Sequence, residues 1–279
     1  MTAAALSLGD VLRRAAEHLG KTSETARLDA ELLLAHALGR ERIELYTDFD
    51  RPLSSQELDV YRELVARRSR REPVAYILGE WGFRRLTLTV DRRALIPRPE
   101  TEIVVERALS HLRGLEAPRV LDVGTGTGAI ALAIADEHTG SHVTAIDVSA
   151  DALALARENA ARTGLSIDLL QHDLRSGLPA GPYDLVVSNP PYVEPADLET
   201  LMPDVRDYEP QVALVGTGAT ESVVRAAADV LVAGGRLVLE VGDGQALATA
   251  ALLDAHGYVD VVTTPDLTGR DRVVEGRRD

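Results

Sequence analysis

The chain has 279 residues, 45% of them hydrophobic and 27% charged, an ordinary folded composition with length for one large domain or two smaller ones. A net charge of −14 argues against a nucleic-acid duplex as partner, because phosphate binding needs a basic stripe; the lack of cysteine excludes disulfides and thiolate metal sites. No apolar run is long enough to span a bilayer, and the opening "MTAAALSLGDVLRRAAEHLG" has neither an apolar core nor a basic leader, so a cytoplasmic protein is expected.

Residues 1–75 predict helices only. Ser7 is placed to cap the first, which closes at Gly20; Ser23 is placed to cap a second, with Leu28, Leu32 and Ala35 on one face before Gly39. A third follows Ser54 or Ser55 and sets Leu58, Tyr61, Leu64 and Val65 on one face. It ends in a basic island, Arg67, Arg68, Arg70 and Arg71, read as a solvated helix face that could also help to hold a partner. Residues 76–100 read as a β-hairpin connector: "FRRLTLTVD" alternates Leu86, Leu88 and Val90 with polar residues, and "ALIPRPETE" leads into a helix.

Residues 101–279 alternate strands and helices. The strands are "RVLDVG", "HVTAID", "IDLLQHD", "YDLVVSNP", "GRLVLEVG", "YVDVVTT" and "DRVVEG". Such alternation implies a doubly wound, mostly parallel sheet with helices on both faces. The last two strands have only a turn between them and should pair antiparallel. The expected fold is therefore α/β, a seven-stranded sheet with an antiparallel C-terminal hairpin, plus a small all-helical N-terminal domain.

Chemistry concentrates at strand ends. "VLDVGTGTGAIA" puts Gly124, Thr125, Gly126, Thr127 and Gly128 between a buried strand and a helix, where bare backbone can approach a ligand. Asp122 precedes this loop, Asp147 ends the next strand, and Asp173 ends the third. In a doubly wound sheet ligands sit at these carboxyl ends. "LDVGTGTG", "AID" and "QHD" resemble the cofactor segments of class I S-adenosylmethionine-dependent methyltransferases. The resemblance implies that residues 124–128 hold the methionine part of the cofactor, that Asp147 binds the ribose hydroxyls, that Asp173 contacts the adenine amine, and that Asn189 also touches the cofactor. Some members stack an aromatic on adenine after that acid; Leu174 here implies an apolar contact instead.

The fourth strand runs into Asn189, Pro190, Pro191 and Tyr192, and the two prolines stop it. Asn-Pro-Pro-Tyr resembles the motif of enzymes that methylate planar nitrogen in an amide or an exocyclic base amine. Such a nitrogen delocalises its lone pair and is a poor nucleophile. The Asn189 side-chain oxygen and the Pro190 carbonyl can accept its two N–H bonds, and Tyr192 can lie against the planar group. "REPVAYILGEWGF", "ALIPRPETEIVVE", "DYEPQVALVGTGATE", "LEVGDGQA" and "DLTGRDRVVEGR" are similar to the HemK/PrmC family, which methylates N5 of the glutamine in the Gly-Gly-Gln motif of peptide chain release factors. The resemblance implies a release factor as protein substrate, held by the N-terminal helices, and a monomeric enzyme that needs no nucleic acid. "IPRPETE" favours release factors over the ribosomal protein modified by a sister group. An adenine-N6 methyltransferase shares the motif but calls for a basic surface; a cofactor-binding protein without catalysis would not need the motif. A metal hydrolase has little support, since the seven histidines show no paired ligand spacing.

Overall fold

The computed structural model describes residues 6–279, so the first five residues of the expected helical domain, where the stretch read as lacking a leader begins, lie outside the described residues. The chain divides into two compact units: the residues up to Gly79 together with Met202–Tyr208, and Glu80–Leu201 together with Glu209–Asp279.

The first unit is helical. It contains α1 (Leu8–Leu19), α2 (Ala26–Leu38), a 3₁₀ turn at Arg42–Tyr46, α3 (Ser55–Ser69) and α4 (Val74–Leu78). Ser7 caps α1 by accepting from the Asp10 amide, and Ser54 caps α3 in a reciprocal box with Glu57. Tyr61 lies within the core and donates its hydroxyl to the Ala30 carbonyl (3.0 Å).

Three sequence readings are corrected here. Ser23 does not cap α2, which starts at Ala26; its hydroxyl donates to Asp29 (2.7 Å) instead. Leu28 is 40% exposed, while Asp29 and Glu31 of the same helix are buried. The face turns because each acid has partners strong enough to take it inside. Asp29 accepts from Arg68 Nε (2.7 Å), Ser23 and Thr25; Glu31 accepts from Arg27 Nε (2.6 Å) and Tyr46. Nor is the basic island simply a solvated face, although Arg70 is exposed. Arg68 is buried and also donates to Asp204 (2.6 Å), Arg71 reaches the same carboxylate, and Arg67 is clamped by Glu72.

In the second unit, β1 (Glu80–Phe83) and β2 (Leu86–Thr89) form a separate antiparallel hairpin. The main sheet has seven strands: β3 (Arg119–Val123), β4 (His142–Asp147), β5 (Asp168–Gln171), β6 (Tyr183–Ser188), β7 (Leu231–Glu240), β8 (Tyr258–Pro265) and β9 (Asp271–Arg278). Their order is β5-β4-β3-β6-β7-β9-β8. The first five in that order run parallel, and β9 lies antiparallel to both β7 and β8, the expected closing hairpin. Successive residues of β3 and β6 point to opposite faces. Val120 and Leu185 pack under α5 (Thr101–Leu112) and α6 (Ala129–Glu137), while Leu121 and Val186 face helix Ala219–Val230. Parallel pairing brings the carboxyl ends of β3, β4, β5 and β6 to one edge. The loops that follow them therefore converge, with β5 the outermost strand on that side.

Candidate active site

At the end of β3 the chain reverses through Gly124, Gly126 and Gly128, all left-handed (φ 76°, 56° and 83°). The turn is pinned from below. The amides of Gly124 and Thr125 both donate to the Ile146 carbonyl (2.9 Å each), and the Thr125 hydroxyl donates to Asp122 Oδ2 (2.6 Å). Asp122 is fully buried, and its Oδ1 has no partner among the described residues. Burial therefore pushes its carboxyl up to about 7, against the pull of the Thr125 bond.

Asp147, the last residue of β4, takes the Gly126 amide on Oδ2 and the Ser149 amide on Oδ1 (2.9 Å each). Burial raises its pKa in spite of these donors. The carboxylate is thus fixed against the glycine loop. Asp173 behaves differently. Arg175, two residues on, grips both of its oxygens and holds its carboxyl down at about 2. The sequence reading missed Arg175, although an arginine at this short spacing was the signal for it.

A cavity of about 370 Å³, within the range of about 300–1,000 Å³ usual for small-molecule sites, opens at this edge. Gly124, Thr125, Gly126, Thr127, Asp147, Asp173, Leu174, Asn189, Pro190 and Pro191 all line it. Gly128 and Tyr192 do not. Gly128 starts α6, and Tyr192 packs beside Gly242, where a Cβ would stand 2.9 Å from its ring. The Gln245 side chain donates to the Tyr192 carbonyl (3.0 Å) and accepts from the Gly242 amide (3.1 Å), so the strand β7 exit braces the Asn-Pro-Pro-Tyr turn. Asn189 itself follows Ser188, whose hydroxyl donates to the Val123 carbonyl (2.7 Å) and ties the ends of β6 and β3 together. One wall comes from the proline-rich segment before α5, including Leu95 and Ile96. Glu209 fixes that wall by accepting from the Ile96 amide (3.2 Å) and from Arg98.

These groups suit S-adenosylmethionine. A half-buried acid sits where hydroxyls could donate, backbone amides edge the glycine turn, and apolar walls suit a flat ring. Comparison with known proteins agrees. Residues 10–79 match the family described as PrmC N-terminal domain, and residues 102–204 match Methyltransferase small domain. A release factor glutamine methyltransferase of Geobacter sulfurreducens is 44% identical over 261 residues, 92% of this chain and 91% of that protein. One from Deinococcus radiodurans is 41% identical over 278 residues, 98% of this chain and 99% of that protein. The chain belongs to the release factor glutamine methyltransferases. It shares its fold with the T. Thermophilus 16S rRNA N2 G1207 methyltransferase solved with AdoMet and guanosine (TM-score 0.53, 18% identity, 72% of this chain and 50% of that one).

In this release factor glutamine methyltransferase, Gly128→Ala should be costly. Its backbone is left-handed, and a Cβ would meet Leu132 Cδ1 at 3.2 Å and the Ala156 Cβ at 3.3 Å. The expected loss is about 1–3 kcal/mol of stability, read by urea denaturation, with weaker S-adenosylmethionine binding by calorimetry. An unchanged denaturation midpoint would show that the turn tolerates a side chain.

Proposed function

We propose that the chain transfers a methyl group from S-adenosylmethionine to the side-chain amide nitrogen, N5, of a release factor glutamine, the one in the Gly-Gly-Gln motif. The observation that carries this reading is the position of Asn189 and Pro190 in the same cavity as the glycine turn and Asp147.

When bound, the cofactor supplies an electrophilic methyl group. Asp147 would accept hydrogen bonds from the ribose hydroxyls, residues 124–127 would present backbone to the methionine arm, and Asp173 with Leu174 would border the adenine. The glutamine amide donates one N–H to Asn189 Oδ1 and the other to the Pro190 carbonyl. Both acceptors strengthen as positive charge grows on nitrogen, which favours the transition state over the ground state. Pro191 stiffens the turn, and Tyr192, outside the cavity lining, braces that turn from beside Gly242. The amide nitrogen would take up the methyl group as it leaves sulfur and would then give up one proton to solvent.

We assign the first unit to holding the release factor. Its support is a run of exposed apolar side chains after α2, with Ile43 73% and Tyr46 53% exposed. With Arg67, Arg68 and Arg71 already paired, the basic island contributes structure to this unit more than contact. No helix among the described residues is long and apolar enough to cross a membrane, and a cytoplasmic monomer fits a translation factor as substrate.

The test is methyl transfer from labelled S-adenosylmethionine to a purified release factor, beside the same factor with its Gly-Gly-Gln glutamine changed to alanine, and beside adenine-containing DNA. Label on the intact factor alone is expected. Label on DNA and none on the factor would overturn the substrate assignment.

A further inference from the structure

A carboxamide has two ends of similar shape and opposite hydrogen-bonding character. For Asn189 to accept from a substrate amide, Oδ1 and not Nδ2 must face it, and something must forbid the flipped arrangement. The neighbours of Asn189 can do this. Its Nδ2 donates to Thr101 Oγ1 (3.3 Å), and the Thr101 hydroxyl donates to Glu240 Oε2 (2.6 Å). Thr101 is 4% and Glu240 2% exposed, so the hydroxyl and the carboxylate meet in a poorly solvated place. An ionised carboxylate only accepts. Its demand consumes the one hydroxyl proton of Thr101, which leaves Thr101 oxygen as an acceptor toward Asn189 and selects the NH₂ end.

We propose that Thr101 and Glu240 are positioning residues that set the direction of the Asn189 carboxamide, through a relay of one carboxylate, one hydroxyl and one amide. The proposal rests on the substrate-binding role given to Asn189 above. It uses residues from three separate elements: the start of α5, the end of β7 and the turn after β6. Glu240 is held up to about 7, chiefly by burial, with Glu100 adding to the rise and Arg272 and Arg98 opposing it; Tyr192 also lies within range. Below that pH the acid no longer requires the Thr101 proton, and the relay loses its direction.

The chain has only two asparagines, Asn159 and Asn189, which makes a direct readout possible. In the full chain labelled with ¹⁵N-asparagine, each side-chain NH₂ gives its own pair of signals. Asn159, bonded to the Thr89 and Thr127 carbonyls (3.0 and 2.9 Å), serves as the internal control. Thr101→Val should move the Asn189 signals and leave those of Asn159, with kcat on the release factor reduced about tenfold and the S-adenosylmethionine KM within about twofold. Thr101→Ser should restore both. In the unsubstituted enzyme kcat should rise with pH through about 7, and Glu240→Gln should lower kcat and abolish that rise. Unmoved Asn189 signals in Thr101→Val overturn the proposal, as do moved signals with an unchanged kcat. If Thr101→Val also displaces the Asn159 signals it has misfolded, and Glu240→Gln decides by the same two criteria. Should the unsubstituted chain not methylate the factor at all, the substrate assignment falls, while the Asn189 signals still decide the relay.

Discussion

Asn189→Ala should lower kcat for release factor methylation by about 10²–10³-fold, the range seen when one preorganised hydrogen-bonding group is removed from a developing charge. The substitution removes the acceptor for one of the two substrate N–H bonds and leaves the Pro190 carbonyl to hold the nitrogen alone. The amide then rotates, and the lone pair is no longer directed. Cofactor affinity should change far less, because the glycine turn and Asp147 are anchored to each other and to β4 without Asn189. Single-turnover rates and calorimetric binding separate the two effects. A kcat within a few-fold of the unsubstituted enzyme would show that the motif serves shape and not catalysis.

The second large effect is on stability. Arg68→Ala should cost about 3–5 kcal/mol, as removal of one partner from a buried ion pair does. Asp29 and Arg68 have side chains only 6% and 7% exposed, and Arg68 bridges Asp29 to Asp204 (15% exposed) while also meeting the Glu72 carbonyl (3.2 Å). Without the guanidinium, Asp29 keeps the hydroxyls of Ser23 and Thr25 but loses its cationic partner in a poorly solvated place. Chemical denaturation followed by far-UV circular dichroism reads the loss, and amide exchange in α2 and α3 localises it. A cost below about 1 kcal/mol would mean that water reaches these carboxylates on a scale that the packing does not suggest.

The parts of the site that could be read from sequence are those written in consecutive residues. Residues 124–128 carry their own backbone requirement and Asn189 to Tyr192 a strand stop, so both stretches stand out before any tertiary contact is known, although Gly128 and Tyr192 fall outside the cavity lining. Strand alternation gave the sheet for the same reason. What could not be read depends on partners far apart in the chain. Thr101 and Glu240 are separated by 139 residues, and Arg68 and Asp204 by 136. The sequence shows a polar residue in each case, and without its partner the sensible default is a solvated one. Leu28 illustrates the converse. A leucine at helical spacing is expected inside, yet Arg68, 39 residues beyond Asp29, turned that helix over.

The segment Met202–Tyr208 carries a consequence for how such a chain can be cut or inherited. The polypeptide passes from the first unit to the second after Gly79, returns after Leu201, and leaves again before Glu209. A fragment beginning at Glu80 would therefore keep Asp204 while losing Arg68, its guanidinium partner. No single break separates the two units. A hybrid that takes its N-terminal unit from another relative must import the matching stretch between Leu201 and Glu209 as well, so the two pieces are expected to change together over evolutionary time although 122 residues of the second unit stand between them.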